Sequence, residues 1–162
     1  MRRQFGKTIV EIARKDSRIV LLYGDVKQNM DEFEALFPER IFNVGICEQS
    51  MVSMAAGMAL EGLRPVLYSL TPFLVERALE QWKMDVDQMD APVIGVGYSS
   101  YPTHGPSQTP LGGTQAPWLI GVPFKHTRLA FPVDSAGADR ALWDAYACVS
   151  PAIICLKRDD SV

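Results

Sequence analysis

The sequence has few residues suited to binding metal ions or forming disulfides. It contains three cysteines and two histidines among 162 residues. Cys47, Cys148 and Cys155 are too far apart for a metal-binding motif and are odd in number, so we interpret them as small core hydrophobes. His104 and His126 have no neighbouring cysteine or histidine. We therefore expect this chain to make no metal site by itself.

The sequence also lacks an excess of positive charge and a long hydrophobic segment. Its formal net charge is −3, which gives no electrostatic basis for binding nucleic acid. No apolar segment approaches the roughly 20 residues needed to cross a bilayer. Charged residues, beginning with Glu11, interrupt the basic N-terminus early, which argues against a signal peptide. We expect a cytoplasmic protein with neither a nucleic-acid nor a membrane partner.

The composition is that of an ordinary globular domain, with 48% apolar and 22% charged residues. At this length we predict one domain over residues 1–162. Short β-branched, apolar segments alternate with segments of helical period, which is typical of the α/β class. The predicted strands are residues 19–23, 41–44, 65–69, 93–98, 127–131 and 152–156. Several are apolar almost throughout, so we expect a three-layer sandwich around a mostly parallel central sheet.

Helical periodicity predicts helices over residues 4–15, 48–61, 71–89 and about 135–148. Thr71-Pro72 predicts the start of the third helix, with a capping hydroxyl followed by proline at the first helical position. Residues 99–123 differ from the rest, because they contain five prolines and four glycines and show no periodicity. A long loop after a strand end is usually functional, so we expect this segment to contribute to a ligand site.

The most informative segment is Arg40-Ile-Phe-Asn-Val-Gly-Ile-Cys-Glu-Gln-Ser-Met51. A predicted strand ends at Gly45, and Glu48 stands where the next helix begins. By position alone, Glu48 would be a first-turn acid that stabilises the helix dipole by ~0.3–1 kcal/mol. The surrounding residues, however, resemble the glutamate motif of the transketolase-like pyrimidine-binding domain, which is an aromatic residue followed by x-x-Gly-Ile-x-Glu and Gln or His.

Other segments resemble the same family and occur in the expected order. They are Gly24-Asp25, Ala55-Ala-Gly-Met-Ala59, Ser69-Leu-Thr-Pro-Phe-Leu74, Arg77-Ala-Leu-Glu-Gln81, Phe131-Pro-Val-Asp134 and the strand over residues 153–158. The resemblance therefore covers about residues 19–158. The family includes transketolases, deoxyxylulose-phosphate synthases and the β subunits of 2-oxoacid dehydrogenases.

The resemblance implies thiamine diphosphate as cofactor and a role for each matching residue. Glu48 is the implied catalytic group, since the family's glutamate hydrogen-bonds a ring nitrogen of the aminopyrimidine. Phe73 would form the flat wall against this ring, with ordinary core packing as the alternative. Asp25, Ile46 and Arg77 are further implied cofactor-binding residues. For Asp25 and Arg77, a surface or ion-pair role is the alternative.

The sequence departs from the family at the substrate side. Many relatives carry Gly-Pro-Thr-His in the loop after the fourth strand, where this chain has Gly-Pro-Ser-Gln and hence Gln108 in place of the histidine. A glutamine cannot shuttle protons at neutral pH. Alternatively, His104 reaches the same place from earlier in the loop. Both residues are therefore candidates for substrate binding. A further departure is Glu76, where the family often has a second aromatic residue.

The sequence also lacks the Gly-Asp-Gly and following Asn with which the family's diphosphate-binding domain holds Mg²⁺ and diphosphate. The resemblance implies that a partner subunit supplies them, in an α2β2 assembly in which the helix from Glu48 is a contact surface. We expect transfer of a two-carbon ketol unit, or formation of a related acyloin bond, on a ketose or 2-oxoacid substrate. The alternatives are a subunit of a 2-oxoacid decarboxylase or dehydrogenase, and a non-catalytic module that retains the fold.

Overall fold

The computed structural model describes residues 1–98 and 120–156. Five α-helices and six strands alternate along these residues. The helices are α1 (Arg2–Lys15), α2 (Asp31–Leu36), α3 (Glu48–Leu60), α4 (Leu79–Gln81) and α5 (Ser135–Ala147). The strands are β1 (Ile19–Tyr23), β2 (Ile41–Asn43), β3 (Arg64–Leu70), β4 (Ile94–Tyr98), β5 (Arg128–Ala130) and β6 (Ala152–Cys155). None of the helices in these two ranges is long and apolar enough to cross a membrane.

The six strands form one sheet in the order β2-β1-β3-β4-β6-β5, and every neighbouring pair is parallel. All five residues of β1 and all four of β6 are buried. Such strands are apolar throughout because helices cover both faces of the sheet. The predicted α/β class and parallel sheet are confirmed, and each predicted strand agrees with the structure to within one residue at either end.

Two apolar cores lie on opposite faces of the sheet. On one face, α1, α2 and α5 pack against alternate strand residues such as Leu21 and Val66. On the other face, α3 and the helical segment after β3 pack against the intervening residues, such as Leu22 and Leu67. The alternation follows from the two-residue side-chain period of a strand. The structure therefore has the three layers that the sequence predicted.

The helical segment after β3, called here the site helix, differs from the sequence prediction. It consists of a π-helix over Pro72–Glu76, the short α4, and a second π-helix over Trp82–Asp87. In a π-helix each N–H bonds to the carbonyl five residues earlier, as from Arg77 to Pro72 at 3.0 Å. Short π-helical segments often occur at functional sites.

The predicted helix start at Thr71-Pro72 is confirmed, but the predicted capping hydrogen bond is not made. Thr71 already has helical backbone angles, φ −52° and ψ −46°, and its side chain makes no cap hydrogen bond. Its hydroxyl instead donates to the Tyr98 carbonyl in β4 at 3.2 Å. The hydroxyl therefore joins the start of the site helix to the adjacent strand.

Two glycines of β4 allow the site helix to lie close to the sheet. A Cβ added at Gly95 would lie 2.6 Å from the Trp82 ring, and one at Gly97 would lie 2.3 Å from Thr71 Oγ1. Trp82 is fully buried, and its indole N–H donates to the Leu74 carbonyl at 2.8 Å. The absence of two side chains in β4 thus sets the position of the site helix.

Candidate functional site

The site is built where three parallel strands end side by side. Gly24 follows β1, Glu48 begins α3 after β2, and Ser69 lies near the end of β3. Because β2, β1 and β3 are neighbours in the sheet, their carboxyl ends meet at one edge. This edge is where open parallel sheets bind ligands.

Glu48 is a buried carboxylate with two side-chain donors. Its relative exposure is 2%. Arg77 Nη1 lies 2.9 Å from Oε2, and the Ser69 hydroxyl donates to Oε1 across a longer 3.4 Å. Since a charge buried without a partner is strongly destabilising, Arg77 is the contact that makes the burial of Glu48 tolerable.

Backbone bounds the other side of the carboxylate. A Cβ added at Gly24 would lie 3.0 Å from the Gly45 carbonyl oxygen and 3.5 Å from Glu48 Oε1. Gly45 has φ +71°, a conformation that favours glycine. The two turns therefore pack directly against each other and form a shallow cradle beside Oε1 that any larger residue at Gly24 would fill.

Asn43 links these two turns, a role that was not predicted from the sequence. Its side-chain oxygen accepts the Gly45 N–H at 2.9 Å and the Asp25 N–H at 3.3 Å. The Asn43–Gly45 bond is the two-residue pattern that asparagine commonly makes in turns. An asparagine at a strand end two residues before a glycine was the available signal. The bond to Asp25, which has φ 61°, depends on the sheet order and could not be read from the sequence.

Arg77 contacts both Glu48 and Phe73. Phe73 is half-buried on the first π-helix of the site helix. The Arg77 Cζ lies 4.2 Å from the centre of the Phe73 ring. A guanidinium over an aromatic face is an attractive cation–π contact. Arg77 thus has the ion-pair role that the sequence analysis gave as an alternative, and its partner is the implied catalytic residue.

The remaining predicted residues are placed less centrally or lie elsewhere. Asp25 follows Gly24 and is exposed, and Ile46 is exposed at 65%. His104 and Gln108 lie outside the described residues. Cys47, which we interpreted as a core hydrophobe, is exposed. The interpretation is wrong there because Cys47 is in the turn before α3 and not in its buried face.

Tyr98 ends β4 close to this edge and was also not identified. Its ring stacks on Tyr68 with 4.8 Å between centres. Burial raises the pKa of Tyr98 to about 12, against the opposing effect of Arg2. The phenol therefore stays neutral across the physiological range. Within residues 1–98 and 120–156, no group of three or more His, Cys, Asp or Glu side chains is arranged to hold a metal ion.

Comparison with known proteins finds a matching family and related sequences. Residues 1–161 match the family described as "Transketolase, pyrimidine binding domain". The 1-deoxy-D-xylulose-5-phosphate synthase of Natranaerobius thermophilus is 35% identical over 152 residues, which are 93% of this chain and 24% of that protein. The enzyme of the same name from Methylibium petroleiphilum is 32% identical over 160 residues, which are 98% of this chain and 25% of that protein. The chain thus spans about a quarter of these relatives.

Solved structures of other proteins have the same fold. One described as "Split gene transketolase, inactive beta4 tetramer" has a TM-score of 0.83 and 25% identity, covering 98% of this chain and 50% of that chain. A transketolase from Campylobacter jejuni has a TM-score of 0.82 at 16% identity, covering 98% of this chain and 25% of that chain, and so shows the shared fold alone.

Proposed function

Because this chain belongs to the transketolase pyrimidine-binding domain family, we propose that it is the pyrimidine-binding subunit of a two-subunit, thiamine-diphosphate-dependent enzyme. The family implies the use of thiamine diphosphate. One observation carries the proposal for this particular chain. It is the carboxylate of Glu48, buried at the carboxyl edge of the sheet and joined through Arg77 to the ring of Phe73.

The residues present fit the pyrimidine half of this coenzyme. A flat aminopyrimidine needs an acceptor in its plane and an apolar surface against its face. Glu48 supplies the acceptor and Phe73 supplies the face, while the backbone at Gly24 and Gly45 bounds the Oε1 side of the carboxylate. When bound, the coenzyme supplies carbanion stabilisation next to a carbonyl group.

The chain's own residues orient the ring and control one proton. Glu48 would hold a ring nitrogen through a charge-assisted hydrogen bond and share the proton at that atom. Because the carboxylate is shielded from water, the local dielectric constant is low and the hydrogen bond is stronger than it would be in water. Ser69 and the two backbone turns keep the carboxylate in place, which lowers the cost of organising the site.

We assign the diphosphate end and Mg²⁺ to a partner subunit in an α2β2 assembly. The split-gene relative described as an inactive β4 tetramer supports a similar dependence here. Three exposed apolar side chains on α3 and the site helix are available for such a contact. They are Met54 and Leu60 on α3, 41% and 56% exposed, and Met84 on the site helix, 53% exposed.

The proposed reaction is transfer of a two-carbon ketol unit or formation of a related acyloin bond. The names of the curated relatives favour the second form, since both are 1-deoxy-D-xylulose-5-phosphate synthases. Action on a 2-oxoacid by a decarboxylase-type or dehydrogenase-type enzyme is the alternative within the same chemistry. Assaying the assembled enzyme for cleavage of ketose phosphates and for decarboxylation of 2-oxoacids separates these possibilities.

The central test replaces one carboxylate. Glu48→Gln keeps the shape of the side chain but cannot take up the shared proton, so turnover of the assembled enzyme should fall by at least about 10²-fold. Glu61→Gln is the matched control, because Glu61 is an exposed acid at the other end of α3. Near-normal turnover in Glu48→Gln, with the coenzyme bound, would show that the proposed role is wrong.

A further inference from the structure

A single guanidinium contacts both surfaces that the proposed function assigns to the coenzyme. Arg77 Nη1 lies 2.9 Å from Glu48 Oε2, and Arg77 Cζ lies 4.2 Å from the centre of the Phe73 ring. A planar guanidinium can donate to a carboxylate in its plane and stack its face on an aromatic ring. These are the same two kinds of contact that an aminopyrimidine would make.

From this overlap we propose that Arg77 is a displaceable occupant of the pyrimidine site. A heterocycle stacked on Phe73 and hydrogen-bonded to Glu48 needs the space that the guanidinium fills, so the two compete. Arg77 is then a positioning residue with two effects of opposite sign. It stabilises the buried carboxylate, and it lowers the affinity of the site for the ring. This inference rests on the proposed function of Glu48 and Phe73.

The geometry allows Arg77 to leave without disturbing the rest of the site. Its side chain is 37% exposed, whereas that of Glu48 is 2% exposed, so the arginine reaches inward from the solvent side. Its backbone N–H stays bonded to the Pro72 carbonyl at 3.0 Å. The Ser69 hydroxyl bonds to Oε1, the oxygen that Arg77 does not contact. Movement of the arginine side chain alone would therefore expose the carboxylate and the ring face together.

The test measures binding and stability, not only activity. The full chain is titrated by calorimetry with thiamine diphosphate, and by NMR with the fragment 4-amino-5-hydroxymethyl-2-methylpyrimidine. We expect Arg77→Gln to bind both probes about three- to tenfold more tightly than the wild type, the range for releasing one partly exposed charge-assisted contact. Without ligand, the same variant should melt at a lower temperature, because Glu48 loses its cationic partner.

Two further variants control the comparison. Arg77→Lys keeps the positive charge but not the planar group, so its affinity and its melting temperature should lie between those of the wild type and Arg77→Gln. Arg14→Gln removes an exposed arginine whose ion pair with Glu32 is 3.6 Å long and lies on the surface, and it should change neither quantity. Weaker or unchanged probe binding in Arg77→Gln would overturn the inference.

The outcome for Glu48→Gln separates this inference from the proposed function. If Glu48→Gln loses binding while Arg77→Gln fails to gain it, the function stands and the displaceable arginine is wrong. If Glu48→Gln binds both probes as the wild type does, the proposed function fails and the inference fails with it. If neither the wild type nor Arg77→Gln binds either probe, the inference is also contradicted.

Discussion

Replacing Gly97 with alanine tests how closely the site helix must approach the sheet. The added Cβ would lie 2.3 Å from Thr71 Oγ1 and 2.9 Å from both Thr71 Cα and Cβ. Carbon atoms in contact normally lie about 3.5–4.0 Å apart. Rotating the threonine side chain relieves only the first contact, so either β4 or the start of the site helix must move by at least about 0.5 Å.

The expected loss of stability is the sum of two effects. Overpacking of this kind costs about 1–3 kcal/mol. The hydroxyl bond from Thr71 to the Tyr98 carbonyl would also be broken or lengthened, which adds about 1 kcal/mol. We therefore expect the free energy of unfolding of Gly97→Ala to be about 2–4 kcal/mol lower than that of the wild type. Because Phe73 follows Thr71 by only two residues, the affinity for the coenzyme should fall as well.

The measurement is urea denaturation of the full chain, with Gly57→Ala as the matched control. Gly57 lies inside α3, and a Cβ added there meets no atom within 4 Å. In that position alanine should stabilise the helix by roughly 0.5–1 kcal/mol. Replacing glycine with alanine should therefore lower the free energy of unfolding at Gly97 and raise it at Gly57. Equal unfolding midpoints for Gly97→Ala and the wild type would refute the argument from close packing.

Three further predictions concern residues outside the proposed catalytic contact. Arg64→Met should destabilise the chain by about 2–4 kcal/mol in urea denaturation, because the buried guanidinium donates to three backbone carbonyls; an unchanged midpoint would contradict this. A side-chain bond from Arg18 lowers the pKa of Asp16 to about 2. Asp16 therefore stabilises the fold above about pH 4, and this stabilisation is lost as the pH falls through about 2. Asp16→Asn should be less stable than the wild type by about 1–2 kcal/mol at pH 7, and this difference should shrink below about pH 4 and vanish near about pH 1. A difference that keeps its full size at about pH 1 would be inconsistent with this origin. Asn43→Ala should weaken coenzyme binding, whereas Asn43→Asp keeps an acceptor oxygen and should bind more tightly than the alanine variant; equal affinities would rule out the link between the two turns.

Much of the fold was predictable because parallel, buried strands are apolar throughout. That pattern located all six described strands. It did not locate α2, where Phe33 is the one buried residue of a six-residue helix that begins with three acidic residues among four. A helix of fewer than two turns is too short to show a period. The prediction of a single domain over residues 1–162 stays a prediction.

The site was predictable only where the contacts are local or belong to a recognisable motif. The position of Glu48 before a helix could be read from neighbouring residues. Its pairing with Arg77 could not, because the two are 29 residues apart and meet only through the packing of α3 and the site helix. Thr71 shows the same limit, since a neighbouring strand took the hydroxyl that local sequence assigned to a cap. The substrate roles of His104 and Gln108 stay predictions.

The all-parallel sheet also determines when the site forms during folding. Neighbouring parallel strands cannot be joined by a tight hairpin, so each pairing closes a long loop, as when Ile19 aligns with Arg64. Chains dominated by such distant pairings fold slowly. Gly24 and Ser69 become neighbours of Glu48 only after β1 and β3 have joined. A ligand that contacts these strand ends can therefore recognise only the finished structure, and its binding should slow unfolding and protect the chain from proteolysis.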